Sequence, residues 1–325
     1  MTPFEAAITQ AMNNLPLESA HIRALLEADL DELLYHTNRI RQRYHHDYVT
    51  LCSIINARSG RCSEDCAFCA QSAHHRAQIT EYALRPAAEL IRLTRGADER
   101  PITHVGLVTS GRAAVRGRER TELLKAVRTL TPQLRAKLCL SLGIVDDALL
   151  RELRALGVQR LHHNLETSRR FFPQICTTHS YDERVENVRR ILAHGFEACS
   201  GGLFGLGETW DDRVALATTL RELGVQSVPL NFLMAIPGTP LEHMPPLAPR
   251  EILRIVALFR CILPRADVKV AGGRPLLRDL QPLIFYAGAT SMMIGDYLTR
   301  PGRDVNADLQ MIVDLGLRTR RPWVE

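Results

Sequence analysis

After residue 48 the apolar residues of this chain gather into short runs rich in β-branched side chains, and amphipathic stretches separate them. The runs lie at 49–55, 103–108, 137–142, 160–164, 197–202, 227–231, 267–271 and 291–294. Between them, apolar residues recur at helical spacing at about 86–95, 118–130, 146–156, 181–194, 211–223, 249–263 and 280–287. Eight strands alternating with seven helices predict an α/β fold, a (β/α)8 TIM-type barrel, and the roughly 250 residues involved are the usual size of one. Gly157, Gly195 and Gly224 each follow a helical stretch and precede a strand, as left-handed helix-ending residues do. Thr209 with Asp212 forms a capping pattern at the start of the fifth helix. The expected layout is one domain over 1–325: a helical extension at 1–48, the barrel at 49–300 and a C-terminal segment with a helix at 301–325.

Composition narrows the function classes. With 325 residues, 46% of them hydrophobic, the chain can bury a full core. Its net charge of +5 comes without long basic runs, which argues against a nucleic-acid partner. It holds no apolar stretch of membrane-spanning length, and residues 1–14 lack a signal-peptide layout, so the expected location is cytoplasmic, away from membranes. In a reducing compartment the eight cysteines are expected as metal ligands or catalytic groups rather than disulfides.

Barrels of this kind carry their reactive groups at the carboxyl ends of the strands. The cysteine-rich stretch 60–72 follows the first run, and His163, Asn164 and Glu166 end the fourth. The glycine-rich stretch 201–207 follows the fifth, Asn231 ends the sixth, and Gly272, Gly273 and Arg274 follow the seventh. The glycine stretch matches neither a Walker motif nor a dinucleotide fingerprint. Its glycines suit close approach to a flat ligand such as adenine, or a bent strand.

Cys62, Cys66 and Cys69 are spaced CxxxCxxC. This spacing offers three thiolates to a four-iron cubane, leaving one iron open, whereas a zinc site would want a second ligand pair that the sequence does not show. The motif resembles the cluster loop of the radical S-adenosylmethionine (SAM) enzymes, which implies a [4Fe-4S] cluster that chelates SAM and cleaves it to a 5′-deoxyadenosyl radical. The stretches NLETS (164–168), TTHSYDER (177–184), CSGGLFGLGET (199–209) and DLQMIVDLGL (308–317) resemble the biotin synthases, and the likeness runs over about 45–317.

That resemblance implies a sulfurtransferase that inserts sulfur from an auxiliary cluster, [2Fe-2S] in the usual form, into dethiobiotin. It implies Cys139, Cys199 and Arg274 as ligands of that cluster. Asn164 and Glu166 would hold the SAM ribose, with Asn164 also facing dethiobiotin; Arg184 would meet the methionine carboxylate and Asn231 the ureido ring. Phe68 and Leu203 would border the nucleoside, and His163 is a rim candidate. A flavodoxin- or ferredoxin-type electron donor and a homodimer are further implications. Arg184, His163 and Asn231 have plainer readings as a solvated arginine, a structural histidine and a turn residue.

The sequence departs from the family at Gly106, where the usual second-strand cysteine ligand is missing. Cys52 is the replacement candidate, giving Cys52, Cys139 and Cys199 around a second cluster with room for more than two irons; otherwise Cys52 is a small buried residue. The changed set leaves Arg274 as either a ligand or a nearby charge. Cys176 and Cys261 have no family counterparts and read as structural. The rival readings are a barrel radical enzyme of the hydrogenase-maturation or methylornithine-synthase type, and a cluster-carrying electron-transfer protein.

Overall fold

In the computed structural model, which describes residues 1–113, 115–298 and 301–319, the apolar runs become parallel strands. These are β1 (Tyr48–Arg58), β2 (His104–Thr109), β3 (Lys137–Ser141), β4 (Arg160–His162), β5 (Glu197–Cys199), β6 (Gly202–Phe204), β7 (Ser227–Phe232), β8 (Asp267–Val270) and β9 (Ser291–Met293). Strands pair in sequence order, with β5 and β6 both pairing β7, and β9 pairs back onto β1, so the sheet closes into the expected barrel. The intervening helices are α4 (Ala87–Asp98), α5 (Gly117–Leu130), α6 (Asp147–Ala155), α7 (Tyr181–Ala193), α8 (Trp210–Glu222) and α9 (Pro249–Ile262). They follow α1 (Pro3–Met12), α2 (Ser19–Glu27) and α3 (Leu30–His45) of the N-terminal extension. Gly157, Gly195 and Gly224 take the expected left-handed conformation, and Thr209 with Asp212 forms the expected capping box. No helix of the described residues is long and apolar enough to cross a membrane.

The structure departs from these expectations at three places. The fifth run is split into β5 and β6, opposite Pro229 of β7, which has no N–H to donate to the ladder. A Cβ on Gly201 would lie 1.9 Å from the Pro229 oxygen, and one on Gly202 would lie 2.6 Å from the Glu166 oxygen. Contact with the protein's own backbone thus accounts for these two glycines, rather than approach to a flat ligand.

The helix expected at 280–287 is a 3-10 turn, Arg274–Leu280, followed by the short α10 (Leu283–Tyr286). Pro282, which has no N–H to donate to a helical hydrogen bond, sits between them, while it and Gln281 both keep right-handed helical dihedrals. Finally, α11 (Val305–Asp314) leads to β10 (Arg318–Thr319), which adds to β1 beside Tyr48 and Val49. Residues 299–300 of the expected barrel and 320–325 of the expected C-terminal segment lie outside the described residues.

The extension is fastened to the barrel by buried hydrogen bonds. Arg260 of α9 is fully buried and donates to the carbonyls of Gly288, Pro264 and Ala266 at 2.7–2.9 Å, and it lies 3.2 Å from the ring of His45 at the end of α3. Thr37 of α3 donates to the Tyr286 carbonyl at 2.9 Å.

Candidate active site

Side chains alternate between the two faces of a strand, so every second residue points into the barrel. The outward set, such as Leu51, Leu107, Leu140, Val228 and Val268, is apolar and fully buried beneath the helices. The inward set is different. Barrels normally fill their interior with branched apolar side chains, but here the inward positions include Cys52, His104, Cys139, Arg160, Cys199 and Lys269 around a cavity of about 440 Å³.

At the carboxyl end of β1 the backbone turns through two consecutive left-handed residues, Gly60 and Arg61. The neck of the loop is then closed by Cys62 N donating to Gln71 O at 2.9 Å and Ala73 N donating to Cys62 O at 2.8 Å. Cys66 is buried, while Cys62 and Cys69 are half-buried. Burial, with the charges of Cys62 and Glu166, pushes the Cys69 thiol up to about 11. The three cysteines share this one loop, in which Cys69 N donates to Cys66 O at 2.9 Å, and Arg184 Nη2 lies 3.9 Å from Cys66 Sγ. Three thiols with an adjacent cation fit the donor set of a cluster that keeps one iron open.

The mouth of the cavity is lined by Phe68, Asn164, Glu166, Leu203 and Asn231, which brings five of the expected residues together. Asn164 accepts from Gly201 N at 3.0 Å and donates to Glu166 at 3.3 Å. Arg184 donates to the Asn164 carbonyl at 2.9 Å and lies 3.6 Å from the Glu166 carboxylate. It also donates to His179 Nε2 at 2.9 Å, so it is a fixed, largely buried group and not a solvated arginine. Glu166 holds a left-handed backbone with φ 70°, unusual for a residue other than glycine, and this presents its carboxylate beside Asn164. The Asn231 amide ties β6 to the turn after β8, donating to Gly202 O at 3.1 Å and accepting from Gly272 N at 2.9 Å.

His163 does not reach the cavity. Arg160, His162 and Asn164 share the inward phase of β4, so His163 points the other way, where burial and the Arg184 charge hold its ring well below the usual range and neutral. His162 is the residue that faces inward, its Nδ1 lying 3.0 Å from the Ser141 hydroxyl.

Deeper in the barrel Cys139 donates a hydrogen bond to Cys199, which raises the Cys139 thiol and lowers that of Cys199; Lys269, His162 and Arg160 lower Cys199 further. Burial opposes charge on Arg160 and Lys269, yet negative charge at Cys199, Cys52 and Asp267 outweighs it and raises both pKa values. Arg160 bonds Glu197 through Nε at 3.0 Å, while its buried Nη1 and His104 Nε2 have no partner among the described residues. An interior of three thiols, two cations and two unpaired polar atoms fits an anionic iron–sulfur group. Gly106 faces this space from β2 and is the β-ladder partner of Cys139 on β3. Below Lys269, Asp267 closes the floor, accepting from Thr290 Oγ1 at 2.8 Å and Thr50 Oγ1 at 3.2 Å.

Arg274 is not part of this group. It begins the turn beyond β8, is 1% exposed, and is held by the Asp308 carboxylate of α11 through Nη1 at 2.7 Å and Nη2 at 2.5 Å, with Gln281 Oε1 at 2.9 Å from Nη1. Arg274, expected as either a cluster ligand or a nearby charge, thus lies outside the cavity lining, and the inward cation of β8 is Lys269. Strand parity was the available signal, because 267, 269 and 271 are in phase and Arg274 lies past the strand end. Cys176, expected as structural, is also placed differently, with its Sγ 3.8 Å from Cys66 Sγ and 3.2 Å from both His179 Nδ1 and Asp65 Oδ1. Hydrogen bonds from Cys66 and from His179 pull the Cys176 thiol down to about 4. Cys261 is buried within α9, which pushes its thiol up to about 12.

A closed parallel barrel with a three-cysteine loop at the end of its first strand defines a radical SAM enzyme, and residues 57–220 match the Radical SAM superfamily model. Residues 229–318 match the Biotin and Thiamin Synthesis associated domain. The chain is 49% identical to the biotin synthase of Heliobacterium modesticaldum, covering 93% of both chains. It is 47% identical to that of Pelotomaculum thermopropionicum, covering 92% of this chain and 94% of the relative. This chain belongs to the biotin synthase family. Among solved structures, methylornithine synthase superposes with a TM-score of 0.84 at 20% identity, covering 97% of this chain and 98% of the other. An [FeFe]-hydrogenase maturase from Carboxydothermus hydrogenoformans gives 0.81 at 14%, covering 98% and 79%. At these identities the two likenesses speak for the fold alone. The enzyme is a sulfurtransferase that uses a [4Fe-4S] cluster with SAM and an auxiliary iron–sulfur cluster.

Proposed function

We propose that this enzyme converts dethiobiotin to biotin with the mouth and the floor of one cavity in separate roles. The single observation that carries the reading is the inward face of the barrel, which joins Phe68, Asn164, Glu166, Leu203 and Asn231 in one cavity with three thiols and two buried cations. Cys62, Cys66 and Cys69 would hold the [4Fe-4S] cluster, which when bound would supply the electron for reductive cleavage of SAM. Arg184 then orients the methionine carboxylate by charge-assisted hydrogen bonds, and Glu166 with Asn164 takes the ribose hydroxyls. Phe68 and Leu203 shield the nucleoside. Asn231, already pinned at both ends of its amide, keeps one N–H and one lone pair for a cyclic urea. Holding the target carbon close to the radical is the protein's main contribution to rate.

Sulfur comes from the auxiliary cluster, which is consumed as a substrate. Cys52, Cys139 and Cys199 are its proposed thiolate ligands, and Lys269 and Arg160 balance its negative charge. Mössbauer spectra and sulfide counts of Cys52→Ala test this set: an unchanged second cluster overturns it. The function itself is tested by anaerobic incubation with SAM, a one-electron reductant such as dithionite or flavodoxin, and dethiobiotin. Biotin together with 5′-deoxyadenosine is expected. Deoxyadenosine without biotin overturns the substrate while leaving the radical chemistry in place.

A further inference from the structure

Outside the roles just described, one buried constellation stands next to the cysteine loop. Sγ of Cys66, Sγ of Cys176 and a ring nitrogen of His179 lie within 4.8 Å of one another, and all three residues are buried. The two sulfurs are 3.8 Å apart, and two thiolates each about 2.3 Å from a tetrahedral ion are separated by about that distance.

The histidine is prepared in the manner of a metal ligand. Arg184 Nε can only donate, so His179 Nε2, 2.9 Å away, carries the lone pair and Nδ1 carries the proton. That proton points at Glu64 Oε2, 2.5 Å from Nδ1. A carboxylate behind a histidine whose other nitrogen carries the lone pair is the arrangement that supports metal-bound imidazole. Nε2 is 3.9 Å from Cys176 Sγ, close to the spacing of ligands around one ion.

We propose that in the cluster-free chain Cys66, Cys176 and His179 form a mononuclear site for a thiolate-preferring divalent cation of the ferrous type. Loading releases the Cys66 thiol proton to solvent, Cys176 already being a thiolate, and displaces Arg184 from His179. Cys66 belongs both to this site and to the CxxxCxxC loop, so the ion is held at the edge of the motif and the two occupancies exclude each other. Among divalent ions, sulfur and imidazole donors select iron, cobalt or zinc over magnesium or calcium.

The test is an anaerobic cobalt(II) titration of the reduced, iron-free full-length chain. The parent is expected to bind one cobalt with tetrahedral visible bands and thiolate-to-cobalt charge transfer. Cys176→Ser is expected to lose those bands and at least tenfold in affinity, whereas Cys62→Ser/Cys69→Ser keeps them. The barrel-floor thiols contribute equally to parent and variants, so the differences report this site. An unchanged spectrum in Cys176→Ser, or a lost one in Cys62→Ser/Cys69→Ser, overturns the proposal. Circular dichroism checks that the variants fold. X-ray absorption on the parent decides independently, with two sulfurs and one nitrogen expected and three sulfurs overturning the assignment. None of these readouts depends on the substrate of the enzyme.

Discussion

A single amino group on β8 separates two accounts of the barrel floor. Lys269 lies among the thiols, while Arg274, five residues on, is occupied by Asp308. Lys269→Met is expected to strip the auxiliary cluster, reducing biotin formation by about 10–100-fold, as loss of a supporting group around a metal site does. The SAM-dependent EPR signal of the [4Fe-4S] cluster should survive, and Mössbauer spectra distinguish the two clusters. Cys139, Cys199, Asn164 and Asn231 were legible in the sequence because they end or occupy recognisable strands. Lys269 and Arg160 were not, because a lysine or arginine in an apolar run reads as a strand edge until the parity of the whole barrel is known. His163 was misread for the same reason: its neighbour His162 has the inward phase. Cys176 and His179 sit in a loop with no periodicity, and only folding brings them to Cys66.

Among the elements, the strands long enough to show β-branched alternation were readable, and their pairing order followed from the parallel fold. β10 was not, since two residues carry no pattern and its partner is nearly the whole chain away. The division between β5 and β6 shows how a ladder defect is absorbed. Pro229 removes a donor, and Gly201 lets the bent backbone press against the proline carbonyl. Gly201→Ala should therefore cost about 3 kcal/mol, the upper range for forced overpacking, because rigid backbone rather than a flexible side chain stands in the way. Thermal unfolding of the cluster-free protein measures it. Gly224→Ala offers a contrast: nothing lies within 4 Å of its added Cβ, so only the left-handed backbone is penalised and the loss should be smaller.

The molecule as a whole is tied together by buried arginines at its seams. Arg274 and Asp308 join α11 to the turn after β8, both nearly inaccessible to water. Asp308→Ala leaves the guanidinium buried without its counter-charge and should destabilise by about 3–5 kcal/mol, read from the denaturant midpoint at constant slope. At the opposite seam, burial and the Arg260 charge depress His45 to about 4. Unfolded, that ring titrates near 6.5. Below this value the unfolded chain binds a proton that the folded one refuses, so stability is full above about pH 6.5 and declines toward pH 4, by up to ~3 kcal/mol from this residue. His45→Gln should flatten part of the slope in pH-dependent melts; His104 and His163, also buried and neutral, retain the rest.

Asp267 and the hydroxyls of Thr50 and Thr290 make the barrel a tube with one opening. Traffic through it must be ordered. Whatever occupies Cys52, Cys139 and Cys199 has to pass the mouth before SAM and dethiobiotin enter, and nothing can be renewed behind them until they leave. A sulfur donor spent at the bottom of such a tube limits the enzyme to the sulfur of one filling. The rate over many cycles therefore belongs to emptying and refilling, and faster radical chemistry at the mouth would not raise it.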